Sequence, residues 1–204
     1  MYRSLIVVDD VLDNVDELRA AALNLDYPRP DKPTYFPGRN SAQALRVQLL
    51  ENVCMELTGE RLSPIADSYA KCRITLESDV GEGDVHVDES HWSGIFYLSK
   101  PEHCQGGTDF FRHIPTDSEH APYHPDHLKK WGYESYSDFV EKVSKPHSKD
   151  PSQWERVMRV PMKYNRLILF RPWLWHTAGP AFGDSIENGR LIYLLFFKSE
   201  GPLR

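Results

Sequence analysis

Two separate stretches of the sequence carry residues that could bind a metal ion. His86 and Asp88 are separated by one residue. Residues two apart in a strand point to the same side, so an imidazole and a carboxylate could reach one ion. His176, after a later apolar stretch, offers a third ligand. Such a set leaves coordination positions open, which suits non-haem Fe(II). For His86 and Asp88 alone, a solvated loop or a hydrogen-bonded core histidine is the alternative.

The elements that would position these residues are two helices followed by a series of strands. Asn14 and Glu17 predict a capping box at the first helix, and Ser41 predicts the cap of a second helix that ends at Thr58-Gly59. The proline-rich stretch Tyr27–Asn40 between them is predicted to be a loop. Alternating or continuous apolar residues predict strands at 4–8, 70–76, 94–98, 108–112, 167–170 and 191–197. This order is typical of an α+β fold with helices behind one face of a β-core.

The order of the motifs resembles the Fe(II)/2-oxoglutarate-dependent oxygenase superfamily, close to its prolyl-hydroxylase-like branch. The matching residues are His86–Asp88, Trp92–Ser99, Gln105–Phe111, Asn165–Phe170, His176 and Gly189–Phe197. The resemblance implies a double-stranded β-helix, which is a jelly-roll-like core, with the metal at its open mouth. One domain is predicted for residues 1–204. Residues 113–158 are predicted to be an insertion near the active-site mouth.

The co-substrate implied by the resemblance, 2-oxoglutarate, has a distal carboxylate that needs a buried cation. Arg190 lies fourteen residues after His176 and opens the next strand, where related enzymes place such an arginine or lysine. Its planar guanidinium can hold a carboxylate with two hydrogen bonds. Tyr97 and Thr108 are further candidates for the same pocket. The alternatives are a surface charge for Arg190 and core packing for Tyr97.

The resemblance implies an enzyme that uses Fe(II) and O₂ to couple decarboxylation of 2-oxoglutarate to hydroxylation, or a related C–H oxidation, of a second substrate. Halogenating relatives lack the carboxylate ligand, so Asp88 favours hydroxylation. The expected substrate is a small polar molecule, such as an amino acid or its derivative. Two alternatives stay open: a hydroxylase of protein residues, and a jelly-roll that binds a ligand without catalysis.

Other polar residues have weaker claims to a function. His91 and Glu89 follow the His86 and Asp88 pair, and His86, Asp88 and His91 would suggest a compact zinc site, but no His-Glu-x-x-His helix pattern is present. Four histidines of the insertion fit a solvated loop better than a zinc finger; they are His113, His120, His124 and His127. Arg73 and Arg39 could contact an acidic substrate or lie on the surface. Trp173 and Trp175 could wall the active site or pack in the core.

The composition fits a folded protein and gives little support to nucleic-acid binding. The net charge is −6 and the longest basic run is Lys129-Lys130, so no basic stripe is present. No apolar run approaches the length of a membrane span, and the first residues are too short an apolar stretch for a signal peptide. Three cysteines without a CxxC pair indicate free thiols. A cytoplasmic protein with a small-molecule substrate is therefore expected.

Overall fold

Two antiparallel sheets account for most of the regular structure. The computed structural model describes residues 3–32 and 34–203. The strands are β1 (Leu5–Val8), β2 (Arg39–Asn40), β3 (Glu60–Pro64), β4 (Cys72–Thr75), β5 (Trp92–Tyr97), β6 (Gly107–His113), β7 (Trp154–Pro161), β8 (Leu167–Phe170), β9 (His176–Ala178) and β10 (Arg190–Pro202). The helices are α1 (Val15–Leu23), α2 (Gln48–Thr58), α3 (Pro125–Trp131), α4 (Tyr136–Phe139) and α5 (Lys145–His147). Of the helices within those two ranges, none has the length and apolar character that a bilayer crossing requires.

The larger sheet is built around the long strand β10. Its order is β1-β8-β5-β10-β4-β2, and β3 pairs with a later part of β10. The smaller sheet has the order β7-β6-β9. Neighbouring strands pair antiparallel in both sheets. The result is a mixed fold with mainly antiparallel sheets and few helices, and the finer assignment as a double-stranded β-helix stays a prediction.

One face of the larger sheet, here called the back face, is apolar and covered. On β10 it presents Leu191, Tyr193 and Leu195, all buried, because alternate residues of a strand point to the same side. These side chains belong to one buried cluster with residues from both N-terminal helices, including Leu18 of α1 and Leu50 of α2. Each buried side chain of this size contributes roughly 1.5–3 kcal/mol. The back face therefore carries much of the hydrophobic stabilisation.

The opposite side of the same strands, the front face, borders a cavity. On β10 it presents Arg190, Ile192 and Leu194, which alternate with the back-face residues. Antiparallel partners lie on the same face. Thr75 opposite Arg190, and Arg73 opposite Ile192, therefore also line the cavity.

Both N-terminal helices differ in detail from their predicted starts. α1 begins after Asn14 as predicted, but the Asn14 side chain accepts no hydrogen bond from the helix, and its amide donates to Glu17 Oε2 at 3.1 Å. α2 begins at Gln48, not after Ser41. The Ser41 hydroxyl instead accepts a hydrogen bond from the Cys72 backbone N–H at 3.1 Å. Ser41 thus ties the proline-rich loop to β4, and the prediction that it caps α2 was wrong.

The predicted insertion lies next to the stretches that carry the three candidate ligands. Its helices α3, α4 and α5 precede β7, which begins at Trp154 and pairs with β6. The last residues of the predicted insertion are therefore part of the smaller sheet. Phe139 of α4 shares a buried cluster with Val85 and Trp175, the neighbours of His86 and His176. The Val85 N–H also donates to the Ser148 carbonyl at 3.1 Å.

Candidate metal centre and its cavity

Pairing of two distant backbone stretches brings His86, Asp88 and His176 together. His86 and His176 exchange backbone hydrogen bonds, with N···O distances of 2.9 and 3.0 Å, so they face each other across a β-bridge. Asp88 Oδ1 lies 3.6 Å from His86 Nε2, and Asp88 Oδ2 lies 3.4 Å from His176 Nε2. One ligand atom from each residue falls within 4.8 Å of the other two. In the described ranges, no other group of three histidines, cysteines or carboxylates satisfies this criterion.

Hydrogen bonds fix which nitrogen of each imidazole is available. His86 Nδ1 lies 2.8 Å from the Asp84 carbonyl and His176 Nδ1 lies 2.8 Å from the Leu174 carbonyl. A carbonyl only accepts, so each Nδ1 carries the proton and each Nε2 presents its lone pair. The Ser93 hydroxyl donates to Asp88 Oδ2 at 2.6 Å and fixes the carboxylate. Such outer contacts orient metal ligands.

The protonation states also favour metal binding. Burial, with the neighbouring His176 adding to it, lowers the pKa of His86 to about 3, so the ring is neutral at physiological pH. Burial alone would raise the pKa of Asp88, but the two histidines and Ser93 hold that pKa well below its usual range. Neutral imidazole and ionised carboxylate are the forms that bind metals.

The donor set fits a divalent transition metal with open positions. Ligand atoms about 2.0–2.2 Å from an ion and at right angles to one another lie roughly 3 Å apart. The observed carboxylate–imidazole separations of 3.4 and 3.6 Å need only a small contraction to reach that arrangement. Two imidazoles and one carboxylate on one side of an ion are typical of non-haem Fe(II) sites.

The cavity that contains this triad has a volume of about 780 Å³ and also contains Arg190. The Arg190 side chain is only 1% exposed, and its Nη2 donates to the Gly107 carbonyl at 3.3 Å. Its buried Nε has no hydrogen-bond partner, and no carboxylate of residues 3–32 or 34–203 forms an ion pair with it. Burial lowers its pKa, but an arginine stays charged at neutral pH. A buried guanidinium with this geometry can receive an anion from the cavity.

Thr108 and Tyr97 lie near Arg190 but differ in their access to the cavity. Thr108 lines the cavity and is fully buried. The Tyr97 hydroxyl lies 2.7 Å from Thr108 Oγ1, and its ring packs in a buried cluster with Ile192. Burial raises the pKa of Tyr97, and the charge of Arg190 opposes that shift. Tyr97 therefore stands behind Thr108.

Arg73 and Ser93 are site residues that sequence reasoning missed or left among the weak candidates. Arg73 lines the cavity, with its guanidinium 5.3 Å from the Phe36 ring centre and its Nε donating to Asn40 Oδ1 at 2.7 Å. The only available signal was its place on a strand whose opposite side is apolar. That pattern does not distinguish a side facing solvent from a side facing a cavity.

The other candidate residues lie outside the triad. His91 Nε2 contacts Glu60 at 2.7 Å and Arg171 at 2.6 Å, which places it in a separate polar cluster. His113 is buried and hydrogen-bonded to His147 through Nε2 at 2.8 Å. Trp175 is fully buried, so it packs in the core.

A second, smaller cavity of about 390 Å³ separates the insertion from the candidate metal centre. Its walls include Asp88 and Glu89 on one side, and Tyr123 and Tyr136 of the insertion on the other. The Tyr123 ring stacks on Trp173, with ring centres 4.8 Å apart. The insertion therefore borders the stretch that carries Asp88.

Several solved structures are similar to this chain. HygX from Streptomyces hygroscopicus, solved with nickel, 2-oxoglutarate and hygromycin B, has 14% identity and a TM-score of 0.52, and the alignment covers 98% of this chain and 83% of HygX. An N-substituted L-amino acid dioxygenase from Burkholderia ambifaria AMMD has 12% identity and a TM-score of 0.41, with coverage of 96% and 85%. The Fe(II)/α-ketoglutarate-dependent dioxygenase TqaL has 12% identity and a TM-score of 0.44, with coverage of 99% and 84%. The likeness to HygX shows a shared fold, and HygX was solved with 2-oxoglutarate, the co-substrate that the predicted resemblance implies.

The sequence itself is assigned by a family model. The model of DUF6445, described as a family of unknown function, matches residues 80–197. That match covers more than half of the chain, and the chain belongs to this family. The matched segment includes His86, Asp88, His176 and Arg190. A search of curated proteins finds no match.

Proposed function

We propose that this protein is an Fe(II)- and 2-oxoglutarate-dependent oxygenase that oxidises a C–H bond of a small polar substrate. The observation that carries the proposal is one cavity that contains both the oriented His86, Asp88 and His176 triad and the buried, unpaired guanidinium of Arg190. The first group suits a metal with open positions, and the second suits a distant carboxylate. A chelating keto acid with a carboxylate at its far end satisfies both.

In this proposal His86 and His176 bind the iron through Nε2, and Asp88 binds it through its carboxylate. The bound iron would supply the site at which the keto acid and O₂ meet and at which oxygen is activated. The protein's part is to hold the partners in place. The Asp84 and Leu174 carbonyls fix the two rings, and Ser93 fixes the carboxylate.

The co-substrate would lie along the front face with its distal carboxylate on Arg190. Thr108 would donate a further hydrogen bond from its cavity-facing hydroxyl, and Tyr97 would orient Thr108 from behind. Ile192 and Leu194 supply apolar walls beside the arginine. Apolar walls keep water from the reacting groups and strengthen the electrostatic contacts inside the site.

The space left in the cavity favours a small substrate. A volume of about 780 Å³ is in the usual range for small-molecule sites and can hold two small molecules side by side. We propose hydroxylation of an amino acid or its derivative, with the insertion contributing Lys149 to the wall of this cavity and Tyr123 and Tyr136 to the wall of the smaller one beside it. We further propose that the two sheets form a double-stranded β-helix within one domain. A hydroxylase of protein residues and a non-catalytic binding module are the alternatives.

The test is to add Fe(II) and 2-oxoglutarate without oxygen and to follow the absorption band of the metal–keto-acid chelate. The band should form in the wild-type protein and should be lost in His176→Ala, which removes one ligand. His124→Ala serves as the matched control because His124 is exposed and outside the triad. Admission of O₂ should then produce succinate. Failure of the wild-type protein to form the band with both components present would reject the proposal.

A further inference from the structure

A second guanidinium, that of Arg73, faces the same cavity as Arg190. Its Nε is engaged by Asn40 Oδ1 at 2.7 Å, and its plane lies near the Phe36 ring. Its two terminal nitrogens make no hydrogen bond or ion pair within residues 3–32 and 34–203. Since Asn40 and Phe36 hold the side chain, the pair of terminal nitrogens is presented to the cavity in a defined direction.

The carboxylates around the cavity already have other partners or lie exposed at its rim. Asp109 receives two hydrogen bonds from Arg159, at 2.5 and 2.6 Å. Asp84 accepts a hydrogen bond from Thr177 at 2.5 Å and is exposed, and Glu89 is exposed as well. Asp79 accepts a hydrogen bond from the Leu76 N–H at 2.9 Å, and Asp88 belongs to the metal triad. Within residues 3–32 and 34–203, no carboxylate forms an ion pair with Arg73, although the charge of Asp88 acts on it from a distance.

The charge balance of the loaded site points the same way. A divalent metal, Asp88, Arg190 and dianionic 2-oxoglutarate together carry no net charge. Arg73 adds one positive charge to that set. Burial, with the charge of Arg190 adding to it and that of Asp88 opposing it, lowers the pKa of Arg73 to about 10, which leaves it protonated at neutral pH. Lys149 also lines the cavity, but it is exposed and donates to the Gly81 carbonyl. Among the more buried groups, the charge of Arg73 has no counterpart, and the second substrate is the component that has yet to be placed.

Arg73 also occupies a different position on the front face from Arg190, the residue proposed to hold the co-substrate. Asp88 is fixed by Ser93 of β5, and the His176 ring packs against Phe170 of β8. Arg73 lies on β4, two strands from β5 across the front face, which is roughly 10 Å. On the neighbouring strand it is level with Ile192, not with Arg190. A small molecule held at Arg73 would thus extend over the front face toward the metal.

We propose that Arg73 binds a carboxylate of the oxidised substrate, so that the substrate class is a small carboxylic acid such as an amino acid. This inference rests on the proposed function. With Nε occupied by Asn40, the two terminal nitrogens remain, and they match the two oxygens of one planar carboxylate. Arg73 is a specificity-determining residue in this assignment, and the co-substrate stays with Arg190.

The experiment uses the full chain loaded with Ni(II) and 2-oxoglutarate, so that binding is measured without turnover. The probes are the L-amino acids and the corresponding carboxamides, in which an uncharged amide replaces the carboxylate, titrated by calorimetry, with inorganic phosphate and sulfate as further anions. At least one free acid should bind, and its carboxamide should bind about 10- to 100-fold more weakly, the effect of losing hydrogen bonds to a charged group. Arg73→Gln should weaken binding of the acid by a similar factor and remove the difference in affinity between the acid and its carboxamide. Arg73→Lys should retain part of it.

Arg39→Gln is the matched control because it makes the same charge change one residue before Asn40. Arg39 pairs with Ile74, a back-face residue, and is not among the residues that line the cavity. It should leave all affinities unchanged. An intact 2-oxoglutarate affinity in Arg73→Gln shows that this variant is folded.

Each other result overturns the inference. It fails if no free acid of the panel binds at millimolar concentration, if acids and carboxamides bind equally, or if Arg73→Gln retains the difference. It fails also if Arg73→Gln loses 2-oxoglutarate, which would make Arg73 the co-substrate arginine, or if only phosphate or sulfate binds. Absence of 2-oxoglutarate binding to the wild-type protein would instead reject the proposed function.

Discussion

The two faces of the larger sheet are built from the same strands, but the back face is apolar and the front face presents a buried charged side chain. The back face of β10 places Leu191, Tyr193 and Leu195 in an apolar cluster that the N-terminal helices close. The front face presents the alternate residue Arg190 to a cavity, and no carboxylate of residues 3–32 and 34–203 forms an ion pair with it. A buried charge without a partner costs stability. The comparison indicates that the back face stabilises the fold and that the front face is kept for a ligand.

Arg190→Ala should have the largest effect on ligand binding. Loss of one member of a buried charged pair costs roughly 3–5 kcal/mol, which corresponds to about 10²–10³-fold in affinity for 2-oxoglutarate. Metal affinity should not change, since Arg190 is no part of the triad. Anaerobic titration of 2-oxoglutarate into the Fe(II) protein measures the first quantity, and calorimetry with Ni(II) alone measures the second. An unchanged 2-oxoglutarate affinity would show that another residue binds the distal carboxylate.

Leu191→Ala tests the adjacent residue on the back face. Leu191 is fully buried, so its truncation should lower the free energy of unfolding by about 2–5 kcal/mol. The affinity of the remaining folded protein for 2-oxoglutarate should stay near that of the wild type. Urea unfolding checks the first outcome and anaerobic titration the second. If the neighbouring variants Arg190→Ala and Leu191→Ala changed the same property, the separation of the two faces would be wrong.

Ser93→Ala should have an intermediate effect, and only on the affinity for the metal. The Ser93 hydroxyl donates to Asp88 Oδ2 at 2.6 Å. Loss of such an outer contact typically weakens metal affinity about 10- to 100-fold. Calorimetry with Ni(II) provides the measurement, and Ser90→Ala, whose hydroxyl contacts Ser93 and not Asp88, is the control. Equal affinities for Ser93→Ala and the wild type would mean that Asp88 is oriented without it.

Tyr97→Phe should have the smallest effect. The hydroxyl contacts Thr108 Oγ1 at 2.7 Å and stands behind it, so its removal should cost one neutral hydrogen bond, about 0.5–1.5 kcal/mol. The 2-oxoglutarate affinity should therefore fall about 2- to 10-fold. A loss as large as that of Arg190→Ala would place the phenol in direct contact with the co-substrate.

Local pattern was sufficient for some elements and insufficient for others. The continuous apolar run Leu167–Phe170 predicts β8 with the bounds that the structure has, because both faces of that strand are buried. β7 was missed because its residues Glu155–Arg159 are all exposed, so its sequence carries no apolar alternation. β9 has only three residues, too few for a periodic signal. The start of α2 was predicted wrongly, since the helix begins at Gln48, six residues later than a cap at Ser41 implies.

The sequence predicted those residues of the candidate site whose type and spacing both indicate metal binding. His86 and Asp88 point to one side because they are two residues apart, and the structure brings His176 to them. Their roles as ligands stay predictions. Arg73 was not distinguishable from a surface arginine, because only the sheet order and the cavity show what lies opposite it. Residues brought together across strands are beyond the reach of a local pattern.

The reciprocal backbone bridge between His86 and His176 has a consequence for assembly. Two peptide hydrogen bonds already close the long loop between these residues. Folding of the chain, and not binding of the ion, therefore offsets the entropy cost of closing that loop. An ion would therefore bind to a site that is already folded. This differs from a zinc finger, whose peptide is unfolded without its ion. Chelation should consequently remove the metal and leave the tertiary structure in place, so that loss and recovery of the ion are reversible events in a folded protein.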